Sequence, residues 1–140
     1  MLGNEFVLYW QPKVDIRRGL VVGLEALIRW PQKDGSVRLP GEFLPGLEHD
    51  ELIVEIGDWV LAEAFGQLSL WHGMGFSTRI SVNVAAKQLQ DTGFPAKLSS
   101  LLAGHPTIAP DQIELEVLET AALEDTARVK QVIEIGRAHV

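Results

Sequence analysis

The sequence predicts an α/β fold in which an antiparallel hairpin opens a sheet that continues as parallel strands with helical crossovers. Three observations predict it. Two runs rich in aromatic and branched residues, 6–15 and 20–30, are separated only by IRRG, a connection too short to bring back a parallel partner. Residues 51–71 carry apolar side chains at steps of three and four, the spacing of one buried helical face. Beyond that helix, strand-like and helix-like runs alternate, the pattern of a parallel sheet.

Each element follows from local chemistry. FVLYWQPKVD (6–15) and LVVGLEALIRW (20–30) are the hairpin strands, and 31–40 is loop around the turn dipeptide Asp34-Gly35. GEFLPGLEH holds a short helix after Pro40. In the long helix, Leu52, Ile53, Ile56, Trp59, Val60, Ala64, Leu68 and Trp71 form the buried face. Gly57 weakens that helix and Gly73-Met74-Gly75 ends it. TRISVNVAA (78–86) is a strand with Ile80, Val82 and Val84 on one face and Ser81 and Asn83 on the other. A helical region over 87–102, interrupted at Gly93 and Pro95, leads to the strand IELEVLE (113–119). Asp125 then caps a final helix carrying Val129, Val132 and Ile133. There is no internal repeat and no low-complexity segment.

At 140 residues the chain suits one domain or part of one. With 46% hydrophobic and 22% charged residues it reads as an ordinary globular sequence. No apolar run approaches the length of a bilayer span, and no charged-then-apolar leader opens the chain. The absence of cysteine excludes disulfides and thiolate metal sites and fits a reducing cytosol. A net charge of −7 argues against binding polymeric nucleic acid through its phosphates. It leaves room for a small phosphorylated ligand where a metal or a few arginines reverse the field.

The chemistry concentrates at three residues. GLEALIRW (23–30) buries a glutamate in an apolar run, which is costly unless something pairs with it. Glu25, Asn83 and Glu116 each lie on a separate strand, towards its C-terminal end, the rim at which βα barrels build their sites. Two carboxylates and an amide oxygen are hard donors, suited to Mg²⁺ or Mn²⁺ rather than zinc. Spacing alone favours the plainer reading of solvated or internally hydrogen-bonded strand ends, because such triples often arise by chance.

The wording of the segments adds to this. YWQPKVD with GLEALIRW, then PGEFLP, SVNVAAKQL and IELEVLET, occur in order, and together they resemble the EAL domain family, phosphodiesterases that hydrolyse cyclic di-GMP to linear pGpG. The resemblance runs from residue 6 to about 133. It implies the first half of a (β/α)8 TIM-like barrel entered by an antiparallel hairpin. It implies that Glu25, Asn83 and Glu116 are metal ligands, with Glu25 and Glu116 catalytic through the two Mg²⁺ or Mn²⁺ ions they help to hold. Gln11 and Arg29 would hold the nucleotide, Leu27 would line the same pocket, and Glu119 would support a loop near the metals. The other class of function it implies is a degenerate domain that binds cyclic di-GMP or a protein without cleavage. Sensor or diguanylate cyclase domains upstream, a homodimer and a cytoplasmic location, with any membrane anchor elsewhere in the full protein, complete the picture.

The chain departs from the family at Ala85, where a serine or glycine is usual, at Leu118 in place of threonine, and at EHDELI (48–53) in place of EETGLI. His49, His72, His105 and His139 lack metal-ligand spacing. Trp10, Trp30, Trp59 and Trp71 read as core, and Arg17-Arg18 as a solvated turn. No phosphate-cradling glycine motif and no Ser-His-Asp arrangement stands out.

A complete barrel of this kind takes about 250 residues. The chain stops before the family's Asp-Asp-Phe-Gly block and the later lysine, glutamate and glutamine blocks, so residues 6–134 read as a partial domain and 1–5 as the end of an upstream segment. Alone, such a fragment is expected to be inactive, poorly folded or self-associated. Residues 135–140 read as a non-native tail: EIGRAHV back-translates to GAG-ATC-GGA-AGA-GCA-CAC-GTC, which contains the start of a common sequencing adapter. A native stop codon after Val140 in independent reads of the source DNA contradicts that reading.

Overall fold

Period-two alternation in the strands and a 3.6-residue period in the helices turn most of the apolar side chains towards a single layer. The computed structural model describes residues 5–47 and 50–117, together with Val132 and Glu134. Strands β1 (Val7–Asp15) and β2 (Leu20–Pro31) form the antiparallel hairpin. Asp15 closes its turn. The Asp15 carbonyl accepts the Gly19 N–H at 2.8 Å, and its carboxylate accepts the N–H groups of Arg17 and Arg18. Gly19 sits at a φ of 66°, a conformation that glycine adopts without strain. The register shifts between Lys13 and Val14, a bulge that leaves Val22 unmatched.

The segment expected to be loop from Pro31 to Pro40 contains a strand. β3 (Val37–Arg38) pairs antiparallel with Trp30 and Pro31, and Asp34 accepts hydrogen bonds from the Ser36 N–H and hydroxyl in the turn. Two residues are too few to display a period, so propensity reading passes over them. The short helix after Pro40 forms as α1 (Pro40–Phe43), followed by a 3-10 turn at Pro45–Leu47.

Helix α2 (Leu52–Gly73) crosses over to β4 (Ile80–Val84), which pairs parallel with β2. The interrupted helical region is two helices, α3 (Ala86–Gln90) and α4 (Phe94–Gly104), with Pro95 tolerated in the first turn of α4. Strand β5 (Ile113–Val117) then pairs parallel with β4, giving the order β1-β2-β4-β5 with β3 on β2. Leu118, Glu119 and the Asp125 cap lie outside the described residues; Val132 and Glu134 are helical, and Val132 packs on the core. Among the described residues no helix is long and apolar enough to cross a membrane.

The core lies between the sheet and α2, α3 and α4. Ala26, Ile28, Ile80, Val82 and Val84 face Ile56, Val60, Ala64 and Leu68 of α2, together with Leu61 and Phe65, which widen the helical stripe beyond the expected face. The tryptophans belong to this layer. Trp10 packs edge-on against Trp71 at 5.0 Å, and Phe6 gathers Trp30, Phe43 and Trp59 within 6.0 Å.

Gly57 has a reason beyond helix propensity. The side chain of Gln88, buried on α3, occupies the space into which a Cβ at position 57 would project. Gly57→Ala, which in an open helix would gain about 1 kcal/mol, should therefore cost about 1–3 kcal/mol by overpacking. Adding Gln88→Ala should recover most of that loss. Denaturant unfolding of the two variants checks this, and a Gly57→Ala protein as stable as the parent would show that α3 can retreat.

Candidate functional site

The opposite face of the sheet is polar. Alternation turns Tyr9, Gln11 and Lys13 of β1, Glu25, Leu27 and Arg29 of β2, Ser81 and Asn83 of β4, and Glu114 and Glu116 of β5 away from the helices. Register sets their rows. Gln11 pairs with Glu25, Glu25 with Ser81 and Ser81 with Glu114, while Asn83 pairs with Glu116 one step further on.

The structure thus brings Glu25, Asn83 and Glu116 to one face of three successive strands. The Asn83 Nδ2–H donates to Glu25 Oε2 at 3.1 Å. One placement needs correction: Glu25 is not at the end of its strand, because antiparallel pairing with β1 and β3 carries β2 on to Pro31. The parallel pairing with β4 does end beside it, at Ala26–Val82. Glu25 therefore marks the rim of the parallel part of the sheet.

Lys13 was not singled out by sequence reasoning, yet it makes the most contacts across this face. Its ammonium donates to Glu116 Oε1 at 2.7 Å and to Ser81 Oγ at 2.9 Å, with Glu114 Oε1 at 3.8 Å. The hydrogen bond to Glu116 raises its pKa above the ordinary lysine value, against the opposing pull of burial, and the charges of Glu116, Glu114 and Glu25 add to the rise. In a flat sheet β1 and β5 would stand about 14 Å apart. The 2.7 Å contact between them requires a concave face, curved as in a barrel. The signal for Lys13 was available: it lies two residues from Gln11, on the same face of β1.

The nucleotide-binding candidates flank this cluster. Arg29 donates from Nη1 to the Ile28 carbonyl at 2.8 Å, and its guanidinium lies 5.6 Å from the centre of the Tyr9 ring. Leu27 is half-buried and paired with Tyr9, and Gln11 is exposed beside Glu25. Glu119 lies outside the described residues. Of the histidines, His72 meets the Gln112 amide at 3.0 Å and His105 meets the Leu101 carbonyl at 2.9 Å. Both are tied into local structure.

The carboxylates of Glu25 and Glu116 and the amide oxygen of Asn83 are hard oxygen donors, the kind that hard divalent cations take. Among the described residues no group of three or more histidine, cysteine or acidic side chains converges as a metal cage. Glu25, Glu116 and the Asn83 amide are the candidate set on the described strands, with Lys13 on Glu116 and Glu114 beside it. The chemistry of that set fits Mg²⁺ or Mn²⁺ with further ligands from outside it.

The chain matches the EAL domain family over residues 1–139. It is 39% identical over 123 residues to the bifunctional diguanylate cyclase/cyclic di-GMP phosphodiesterase MucR of Pseudomonas aeruginosa, covering 87% of this chain and 18% of that protein. It is 32% identical over 130 residues to the signaling protein YkoW of Bacillus subtilis, covering 93% of this chain and 16% of that one. Among solved structures, the PaMucR phosphodiesterase in complex with c-di-GMP superposes with a TM-score of 0.87 at 35% identity, covering 99% of this chain and 57% of that one. The FimX EAL domain of Xanthomonas citri shares the fold at 22% identity, with a TM-score of 0.83 over 99% of this chain and 53% of that one. The chain thus spans less than a quarter of these curated relatives.

Ala85 stands at the N-cap of α3, directly after the strand that carries Asn83, and supplies no side-chain cap. Ala85→Ser should add one and stabilise the fold by about 1 kcal/mol. A melting temperature unchanged or lowered by this substitution would show that α3 gains nothing from a cap.

Proposed function

Because the chain belongs to the EAL domain family, we propose that it forms one wall of a domain that hydrolyses cyclic di-GMP to linear pGpG. The observation that carries this reading is the gathering of Glu25, Asn83 and Glu116 on one concave face, with Asn83 hydrogen-bonded to Glu25. The relative MucR, named as a phosphodiesterase and solved with c-di-GMP, supports the choice of substrate.

In this reading Glu25, Asn83 and Glu116 hold Mg²⁺ or Mn²⁺, two ions in the complete domain. Such ions neutralise phosphate charge and lower the pKa of bound water. Asn83 acts through its amide oxygen, since the nitrogen can only donate, and its bond to Glu25 fixes the orientation of both. Arg29 presents a planar fork to a phosphate, steadied over Tyr9. Leu27 gives an apolar wall for a base, Gln11 an amide for its polar edge, and Glu119 supports the loop beyond β5. Among the described residues β1 and β5 are each paired on one side only. In this reading further strands complete the wall and supply the remaining ligands. Sensor or cyclase domains upstream and a homodimer belong to the same proposal.

Turnover of cyclic di-GMP by the complete domain in Mg²⁺ is the direct test. Glu25→Gln should lower kcat by at least about 100-fold without unfolding the protein. Arg29→Ala should raise KM by about 10–100-fold, the loss of a charged hydrogen bond, with a smaller change in kcat. Wild-type rates from Glu25→Gln would remove Glu25 from the metal site. A folded, Mg²⁺-supplied domain that binds the nucleotide without cleaving it would instead establish a receptor.

A further inference from the structure

Lys13 occupies a position that the mechanism above leaves unused. Three features single it out. The β-bulge opposite Lys13 and Val14, with Val22 as its extra residue on β2, bends β2 and raises the local twist of the hairpin beside Lys13. The register partner of Lys13 is Gly23, so no side chain on β2 blocks its path across the sheet. Its ammonium reaches Ser81 at 2.9 Å, two strands from its own, and ends on Glu116 at 2.7 Å with Glu114 at 3.8 Å, three strands away.

We infer that Lys13 is a resident counter-cation that holds Glu116 when the metal is absent and competes with the metal for that carboxylate. The inference rests on Glu116 being a metal ligand, as proposed above. Glu25 on β2 and Glu114 and Glu116, both on β5, repel one another across β4, and among the described residues Lys13 supplies the positive charge bonded to this group. A divalent ion does the same work with more charge. Two cations on one carboxylate repel, so each weakens the other. Lys13 thereby lowers metal affinity and keeps the sheet together before metal arrives. A residue that merely oriented Glu116 for the ion would have the opposite effect on affinity.

Mn²⁺ binding to the complete domain, followed by electron paramagnetic resonance without nucleotide, separates these roles. Lys13→Gln should bind Mn²⁺ about tenfold more tightly than the parent. Without metal it should melt several degrees lower, and it should gain more from added Mn²⁺. Lys13→Met, which keeps the apolar stem, should show the same tightening and serves if the glutamine variant does not fold. Parent binding with equal or weaker affinity in these variants overturns the inference while leaving the metal site intact. No Mn²⁺ binding to parent or variants, with all folded, overturns the metal-site reading and this inference together.

Discussion

The in-register parallel pairing of β2, β4 and β5 is the constraint on which the rest of the structure depends. A slip of one residue in any of these strands would exchange its two faces. Val82 and Val84 would then meet the polar side, and Asn83 would be pressed into α2. Because the inner pattern is apolar on three strands at once, the register is fixed by burial, and the polar residues on the other face are aligned as a consequence. Packing against α2, α3 and α4 thus determines where Glu25, Asn83 and Glu116 stand. Gln88 against Gly57 is part of that same packing, since it seats α3 immediately after the strand that carries Asn83.

Curvature supplies the second requirement. Side chains on a flat sheet stand nearly parallel, whereas a concave face makes them converge. The Lys13–Glu116 bond spans the outer strands of the main sheet path and is direct evidence of that convergence. The bulge in the hairpin and the long antiparallel extension of β2 contribute to the bend, as bulges do at barrel rims. The acidic balance of the chain, −7 overall, is locally offset by Lys13 within the carboxylates and reversed by Arg29 beside Tyr9. A phosphodiester ligand needs such points, because carboxylates alone would repel it.

Much of this was legible in the sequence, for physical reasons. IRRG is too short for anything but a hairpin, and the α2 periodicity is long enough to be unambiguous. The alternation in ISVNV assigned Asn83 to the polar face, where it lies. What escaped was either too short or too distant. β3 has two residues, fewer than a period can reveal. Glu25 appeared to be a strand end because the sequence does not show where pairing with β4 stops and pairing with β1 continues. Lys13 was not singled out, since its partners are 68 and 103 residues away. Gly57 read as a weak point in a helix until its neighbour from α3 was known.

The central claim is that one concave sheet face assembles a hard-oxygen metal site from Glu25, Asn83 and Glu116. Anomalous diffraction from crystals of the complete domain grown with Mn²⁺ tests it most directly. The predicted result is an anomalous peak about 2.0–2.6 Å from carboxylate oxygens of Glu25 and Glu116 and from the Asn83 amide oxygen. A peak bound elsewhere, with Asn83 still donating to Glu25 and Glu116 untouched by the ion, would contradict it.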